Sequence, residues 1–215
     1  MDTPFKQLKN FRILPIVTID NAADALPLAE AVLAAGLPCI EITFRTAAAS
    51  QAIETIARRG DMLVGAGTVL NEENARAAVD SGARFIVTPG VNPKIVEFCL
   101  LCGLPIAPGI CTPTDIEMAL NLGCTVLKFF PAEAMGGEKT LKAIAAPYAM
   151  VEFIPTGGIN VSNIRHYLGC AQVLCCGGSW MVEKELIRTG RFDRITELTK
   201  EALAAAGRAP SLTGS

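Results

Sequence analysis

One histidine, His166, occurs in 215 residues. A multi-histidine metal site is therefore excluded, and a Ser-His-Asp triad has a single candidate base, on a segment that reads as helix. Charge of one sign is also lacking: 19 Lys and Arg nearly cancel 21 Asp and Glu, leaving a net charge of -2. No broad cationic field is available for a nucleic acid backbone or an acidic membrane, so neither is an expected partner and any anion must be caught locally. Long apolar runs are missing too. The uncharged stretch 98–114 is too short to cross a bilayer and is interrupted by Gly103, Pro105, Pro108, Gly109 and Pro113. Residues 1–11 carry Asp2, Lys6 and Lys9 in place of the apolar run of a secretory signal, so a cytoplasmic protein is expected.

What is present points to a globular enzyme. Hydrophobic residues make up 51 % against 19 % charged, a balance that excludes disorder, and a core of this size could bury roughly 70 % of the surface the unfolded chain exposes. The eight cysteines read as reduced, small apolar core residues rather than a disulfide framework. Cys99 and Cys102 make one CxxC; without a second such pair, a zinc or redox role is disfavoured.

A glycine able to stop a helix recurs before an apolar run at Gly36, Gly60, Gly82, Gly103, Gly123 and Gly169, with Ala146-Pro147 midway in the last, doubled interval. The chain thus repeats every 20 to 24 residues. Each stop precedes a strand-like run, over 39–44, 62–68, 85–89, 105–110, 126–130, 151–156 and 173–176; with 12–19 there are eight. Helix starts are legible at Asn71, Asn92, Thr112 and Asn160, and Pro27 fits a first turn capped by Asp24. Eight βα units with strands too apolar for a wet face predict an α/β fold, a single-domain TIM (β/α)8 barrel over 1–215. A short helix over 1–11 closes its bottom, and 207–215 reads as a loose tail. An open doubly wound sheet is the alternative. Its only dinucleotide-like segment, Gly65-Ala66-Gly67-Thr68, lacks the third glycine of the fingerprint.

In such a barrel, polar residues within or just after strands carry the chemistry. Seven of the eight lysines fall in helices or loops; Lys128 stands inside Val126-Leu127-Lys128-Phe129-Phe130. Alternation turns Leu127 and Phe129 one way and Lys128 the other, into the barrel mouth. A structural lysine paired with a carboxylate is one reading; a Schiff-base nucleophile is the other. An ordinary lysine titrates near pH 10.4 and leaves on the order of one amine in a thousand neutral near pH 7.5. Desolvation and a neighbouring cation can bring such an amine into working range.

Glu41, Thr43 and Arg45 fall on one face of Ile40-Glu41-Ile42-Thr43-Phe44-Arg45-Thr46. An internal Glu41–Arg45 ion pair would be structural. Beside Lys128, however, a carboxylate can move protons, and Arg45 offers a planar fork for a substrate carboxylate. Glycine turns after strands seven and eight, Thr156-Gly157-Gly158-Ile159-Asn160 and Gly177-Gly178-Ser179-Trp180, occupy the positions where barrels often bind phosphate. Either alone could be a plain tight turn.

With these residues in view, the chain resembles the 2-keto-3-deoxy-6-phosphogluconate and 4-hydroxy-2-oxoglutarate aldolase family over nearly its full length. The likeness is carried by residues 40–46, Val64-Gly65-Ala66-Gly67-Thr68-Val69-Leu70, Thr88-Pro89-Gly90, Lys128-Phe129-Phe130-Pro131-Ala132-Glu133, Pro155-Thr156-Gly157-Gly158-Ile159 and Gly177-Gly178-Ser179-Trp180. The resemblance implies a class I aldolase, with Lys128 forming an imine with the keto carbon of a pyruvate unit and Glu41 moving protons. Arg45 and Thr68 would hold the pyruvate carboxylate, Pro89 would wall the pocket, and Gly157, Gly158, Gly178 and Ser179 would receive a distal phosphate. It implies reversible cleavage of a keto acid phosphate to pyruvate and glyceraldehyde 3-phosphate, no cofactor or metal, and a homotrimer. Cys111, in Gly109-Ile110-Cys111-Thr112, departs from the small residue or serine expected there and could alter pocket polarity. The rivals are an aldolase of the same family acting on the galactonate epimer or on 4-hydroxy-2-oxoglutarate, a noncatalytic sugar-phosphate-binding barrel, and a metal-using epimerase.

Overall fold

Five of the six helix-stopping glycines, at 36, 60, 82, 103 and 123, adopt the left-handed conformation that ends a helix, with φ between 68° and 87°. The exception is Gly169, which stays right-handed at φ -76°. The computed structural model describes residues 3–207, so most of the expected 207–215 tail lies outside the described residues.

Nine short strands follow: β1 (Ile13–Val17), β2 (Cys39–Thr43), β3 (Leu63–Gly67), β4 (Ile86–Val87), β5 (Ile106–Ala107), β6 (Gly109–Ile110), β7 (Val126–Phe129), β8 (Glu152–Pro155) and β9 (Cys176–Gly178). The helices are α1 (Pro4–Phe11), α2 (Ala25–Ala34), α3 (Ala49–Ala57), α4 (Glu72–Asp80), α5 (Pro93–Leu101), α6 (Pro113–Asn121), α7 (Gly137–Ala145), α8 (Ile164–Leu168), α9 (Lys184–Arg188) and α10 (Phe192–Ala205). Strands and helices alternate as the repeat predicts, but the pairing corrects the expected architecture. The strands form a curled six-stranded parallel sheet, ordered β5-β4-β3-β2-β1-β9, and a separate three-stranded one, β6-β7-β8. This is not the closed eight-stranded TIM barrel.

The ladder breaks at two places. Pro108 divides the run expected as one strand over 105–110: Ile106 pairs with Ile86, whereas Gly109 pairs with Lys128. Proline has no N–H to continue a ladder. On the other side, isolated bridges rather than a ladder join the three-stranded sheet to the β9 segment among the described residues: Phe153 with Val173, ahead of β9, and Thr156, just past β8, with Gly177. The last strand also begins at Cys176 rather than Val173, so Gly177 and Gly178 lie within it instead of in a turn behind it. They oppose Leu14 and Pro15 of β1. A Cβ on Gly177 would come within 2.4 Å of Thr156 Oγ1, so the missing side chain lets the two sheets approach here.

Helix starts are set by their caps. Asn71 Oδ1 accepts the Asn74 N–H at 2.8 Å, Asn92 precedes Pro93, and Thr112 and Asp115 form a reciprocal capping box. Two expected caps are corrected. Asp24 precedes α2 but makes no side-chain cap bond; Asn21 caps the 3-10 turn Ala22–Asp24 ahead of it. Asn160 instead accepts from Ser162 N in its own turn, and α8 begins only at Ile164. At the other end of the fold, α1 buries Leu8 and sets Phe5 6.2 Å from Phe85, ring centroid to ring centroid.

Gly109, facing Lys128, stands where a Cβ would lie 2.2 Å from the Pro89 carbonyl oxygen. Backbone cannot rotate away as a side chain can. Gly109→Ala is expected to lower stability by about 2–3 kcal/mol. Gly90→Ala, with nothing within 4 Å of the added carbon, should change it by under about 0.5 kcal/mol. Urea unfolding of both variants measures the contrast.

Candidate active site

Lys128 is 4 % exposed and is the one buried lysine among the described residues. Strand β7 holds it between Gly109 of β6 and Ile154 of β8, while the fully buried Leu127 and Phe129 anchor the opposite face. Burial pulls the ammonium pKa down; the Glu41 carboxylate opposes that shift and the Arg45 guanidinium adds to it. The Nζ atom lies 4.9 Å from the centroid of Phe130.

Glu41 sits in β2, register-paired with Ile16 and Gly65, and is 1 % exposed. Its room comes from a glycine: a Cβ on Gly67 would lie 1.9 Å from Glu41 Oε1. Gly65 similarly clears space for the Phe85 ring, 2.2 Å from where its Cβ would be. The glycines of 65–67 thus serve side-chain packing within a strand rather than a dinucleotide turn. Glu41 Oε1 is buried with no hydrogen-bond partner, and the carboxylate makes no direct ion pair with Arg45 or Lys128. Burial pushes its pKa up, while Lys128 and Arg45 pull against that shift. An unpartnered buried carboxylate is costly to a fold, which marks this one out for chemistry.

Thr43 shares the face but is otherwise employed: its hydroxyl donates to Val17 O at 2.8 Å and lies 3.0 Å from Thr18 Oγ1. Arg45 lies beyond the end of β2 and is exposed; its backbone N–H donates to Thr43 O at 2.8 Å, while its guanidinium makes no hydrogen bond or ion pair among the described residues. It lines a cavity of about 560 Å³ together with Gly157, Gly158, Gly178 and Ser179. Phe130, the ring beside Lys128 Nζ, lines it as well. Gly157 and Gly158 are left-handed, at φ 101° and 79°. A Cβ on Gly158 would meet Glu133 at 2.6 Å. The segment after Lys128 is laced to this turn, with Ala132 N donating to Thr156 O at 2.8 Å and Glu133 N to Gly157 O at 3.0 Å. The carboxylate of Glu133 in turn accepts from the Tyr167 hydroxyl. Beside Gly178, the Trp180 ring fills the space a side chain would take, with Cζ3 1.8 Å from the hypothetical Cβ.

Thr68 and Pro89 are half-buried and do not line this cavity. Thr68 has a left-handed backbone, φ 54°, unusual for a β-branched residue. Cys111 does not line the cavity either; Asp115 accepts its backbone N–H at 3.0 Å, and burial raises its thiol pKa, helped by Asp115. Cys99 is buried and Cys102 exposed, and among the described residues no group of His, Cys, Asp and Glu is arranged to hold a metal. Cavity residues missed in the sequence include Thr18, Thr156 and Lys184. Both threonines fall at the C-terminal ends of expected strands, the signal that could have found them; Lys184 follows β9 in a segment with no such period.

A lysine and a carboxylate buried without direct partners beside a glycine-walled cavity call for a comparison with known proteins. Residues 5–198 match the family described as KDPG and KHG aldolase. The chain belongs to that aldolase family. A 2-dehydro-3-deoxy-phosphogluconate aldolase of Treponema pallidum is 47 % identical over 208 residues, covering 96 % of this chain and 99 % of the relative. The crystal structure of KDPG aldolase from Legionella pneumophila, with pyruvate captured at low pH as a covalent carbinolamine intermediate, is 38 % identical with a TM-score of 0.88, covering 92 % and 97 % of the two chains. The Zymomonas mobilis 2-keto-3-deoxy-6-phosphogluconate aldolase solved with 3-phosphoglycerate is 34 % identical, TM-score 0.86, covering 98 % of each. In this aldolase-family chain no helix among the described residues is long and apolar enough to cross a membrane.

Proposed function

We propose that this chain is a class I aldolase that reversibly cleaves 2-keto-3-deoxy-6-phosphogluconate to pyruvate and glyceraldehyde 3-phosphate. The single observation that carries this is the buried Lys128 amine, its pKa held down, beside the unpartnered Glu41 carboxylate. The neutral amine adds to the C2 carbonyl, giving a carbinolamine that loses water to an imine. The protonated imine draws the electron pair of the C3–C4 bond as that bond breaks, and the C4 hydroxyl proton passes to Glu41. The aldehyde departs, the enamine takes a proton at C3, and water releases pyruvate and restores the amine. Since the imine is the electron sink, the step needs no external cofactor.

Arg45 and Thr68 hold the carboxylate, Arg45 being the cavity-lining guanidinium with no partner of its own. By the family likeness Thr68 and Pro89, which do not line the cavity of this structure, complete the carboxylate site and the pocket wall, and Gly157, Gly158, Gly178 and Ser179 take the phosphate. In this reading the chain is a cytoplasmic homotrimer, and a neighbouring copy would cover apolar surface such as Leu100 and Leu101 on α5. Incubation with pyruvate and borohydride, followed by peptide mass mapping, tests the chemistry. A reduced pyruvate adduct on Lys128 is expected; labelling elsewhere, or none, defeats the aldolase and leaves a noncatalytic sugar-phosphate-binding protein.

A further inference from the structure

Two cationic side chains line the 560 Å³ cavity, Arg45 and Lys184. They arrive from different strands. Arg45 follows β2 and Lys184 follows β9, and the sheet order places β1 between the two. Two strand spacings amount to about 10 Å, the scale of an extended six-carbon chain with an acid group at each end. The Gly157-Gly158 turn and the Gly178-Ser179 end of β9 can offer only neutral donors, whereas a phosphate monoester carries nearly two negative charges at neutral pH. Of the remaining cavity lining, Glu183 is the only charged group, and it is anionic.

Lys184 is not fixed by its present contact. Its Nζ lies 2.9 Å from Asp20 Oδ2, with the two side chains 54 % and 50 % exposed, so the pair is weakly held. A second cavity, of about 210 Å³, is lined by Asp20 and shares Thr18 and Lys184 with the first. The lysine therefore lines both open volumes, and its present partner belongs to the smaller one.

We propose that Lys184 is a specificity-determining residue that leaves Asp20 to bind the distal phosphate of the substrate, together with Gly157, Gly158, Gly178 and Ser179. The assignment holds only if those four residues take phosphate, as proposed above.

The test measures kcat/KM for 2-keto-3-deoxy-6-phosphogluconate and for the phosphate-free 4-hydroxy-2-oxoglutarate in wild type, Lys184→Gln and Lys184→Arg. In Lys184→Gln the ratio of the two should fall about tenfold, mainly through KM for the phosphorylated substrate. Lys184→Arg should restore most of it. A ratio unchanged in Lys184→Gln, in a wild type that prefers the phosphorylated substrate, overturns this role for Lys184 and leaves the aldolase intact. Equal losses on both substrates also overturn it, as structural damage. A wild type that cleaves neither substrate overturns the aldolase itself, and this role with it.

Discussion

Lys128→Met should abolish carbon–carbon cleavage, lowering kcat by at least about 10⁴-fold, and should leave no borohydride-trapped adduct with pyruvate. Methionine matches the reach and volume of the lysine stem, so the strand between Gly109 and Ile154 keeps its packing. It also removes an ionisable group buried without an ion pair. The variant should therefore melt no lower than wild type, and a thermal scan beside the activity assay separates lost chemistry from lost fold. Retained cleavage in a folded Lys128→Met protein would show that another group forms the intermediate.

Glu41→Gln should lower kcat by about 10²–10⁴-fold while leaving trapping by pyruvate and borohydride measurable. That outcome would divide proton movement and imine formation between two residues. The substitution also carries a pH signature in stability. Burial raises the folded-state pKa of Glu41, so its contribution is fully present below the ordinary carboxylate value, near 4.3, and is lost as pH rises through the raised native value. The Tm of Glu41→Gln should accordingly gain on wild type as pH rises above that range. Lys128 works in the opposite sense. Its depressed native pKa gives a contribution present above the ordinary lysine value and lost as pH falls through the native one. The same loss of neutral amine should make pyruvate trapping fall away toward acid pH. Paired pH series of melting and trapping check both signs.

The catalytic candidates were legible because charge inside an apolar strand is an anomaly that needs no knowledge of pairing. Lys128 between Leu127 and Phe129, and Glu41 between Ile40 and Ile42, declare themselves from alternation alone. Helix ends were equally readable, since a left-handed glycine or an asparagine cap acts within one turn. Sheet closure was not. Whether β5 continues into β6 depends on one proline's missing N–H, and whether β8 meets β9 depends on long-range bridges that no local pattern encodes. The exact start of β9 escaped for a related reason: Val173 to Cys176 is the more strand-like run, but Gly177 and Gly178 are what fit against β1. Asn160 looked like a cap because its residue type suits one, while the backbone spends its side chain within its own turn. Lys184 carried no signal at all, because an exposed lysine after a strand is ordinary until a cavity is found beside it.

Trp180, the single tryptophan of the chain, leans on Gly178 in the cavity wall. Its indole emission therefore originates beside the Gly178 wall of the cavity, where the substrate phosphate is proposed to bind, and nowhere else in the molecule. Occupancy there can be followed by intrinsic fluorescence in the unlabelled protein, giving a direct optical readout of ligand arrival independent of turnover.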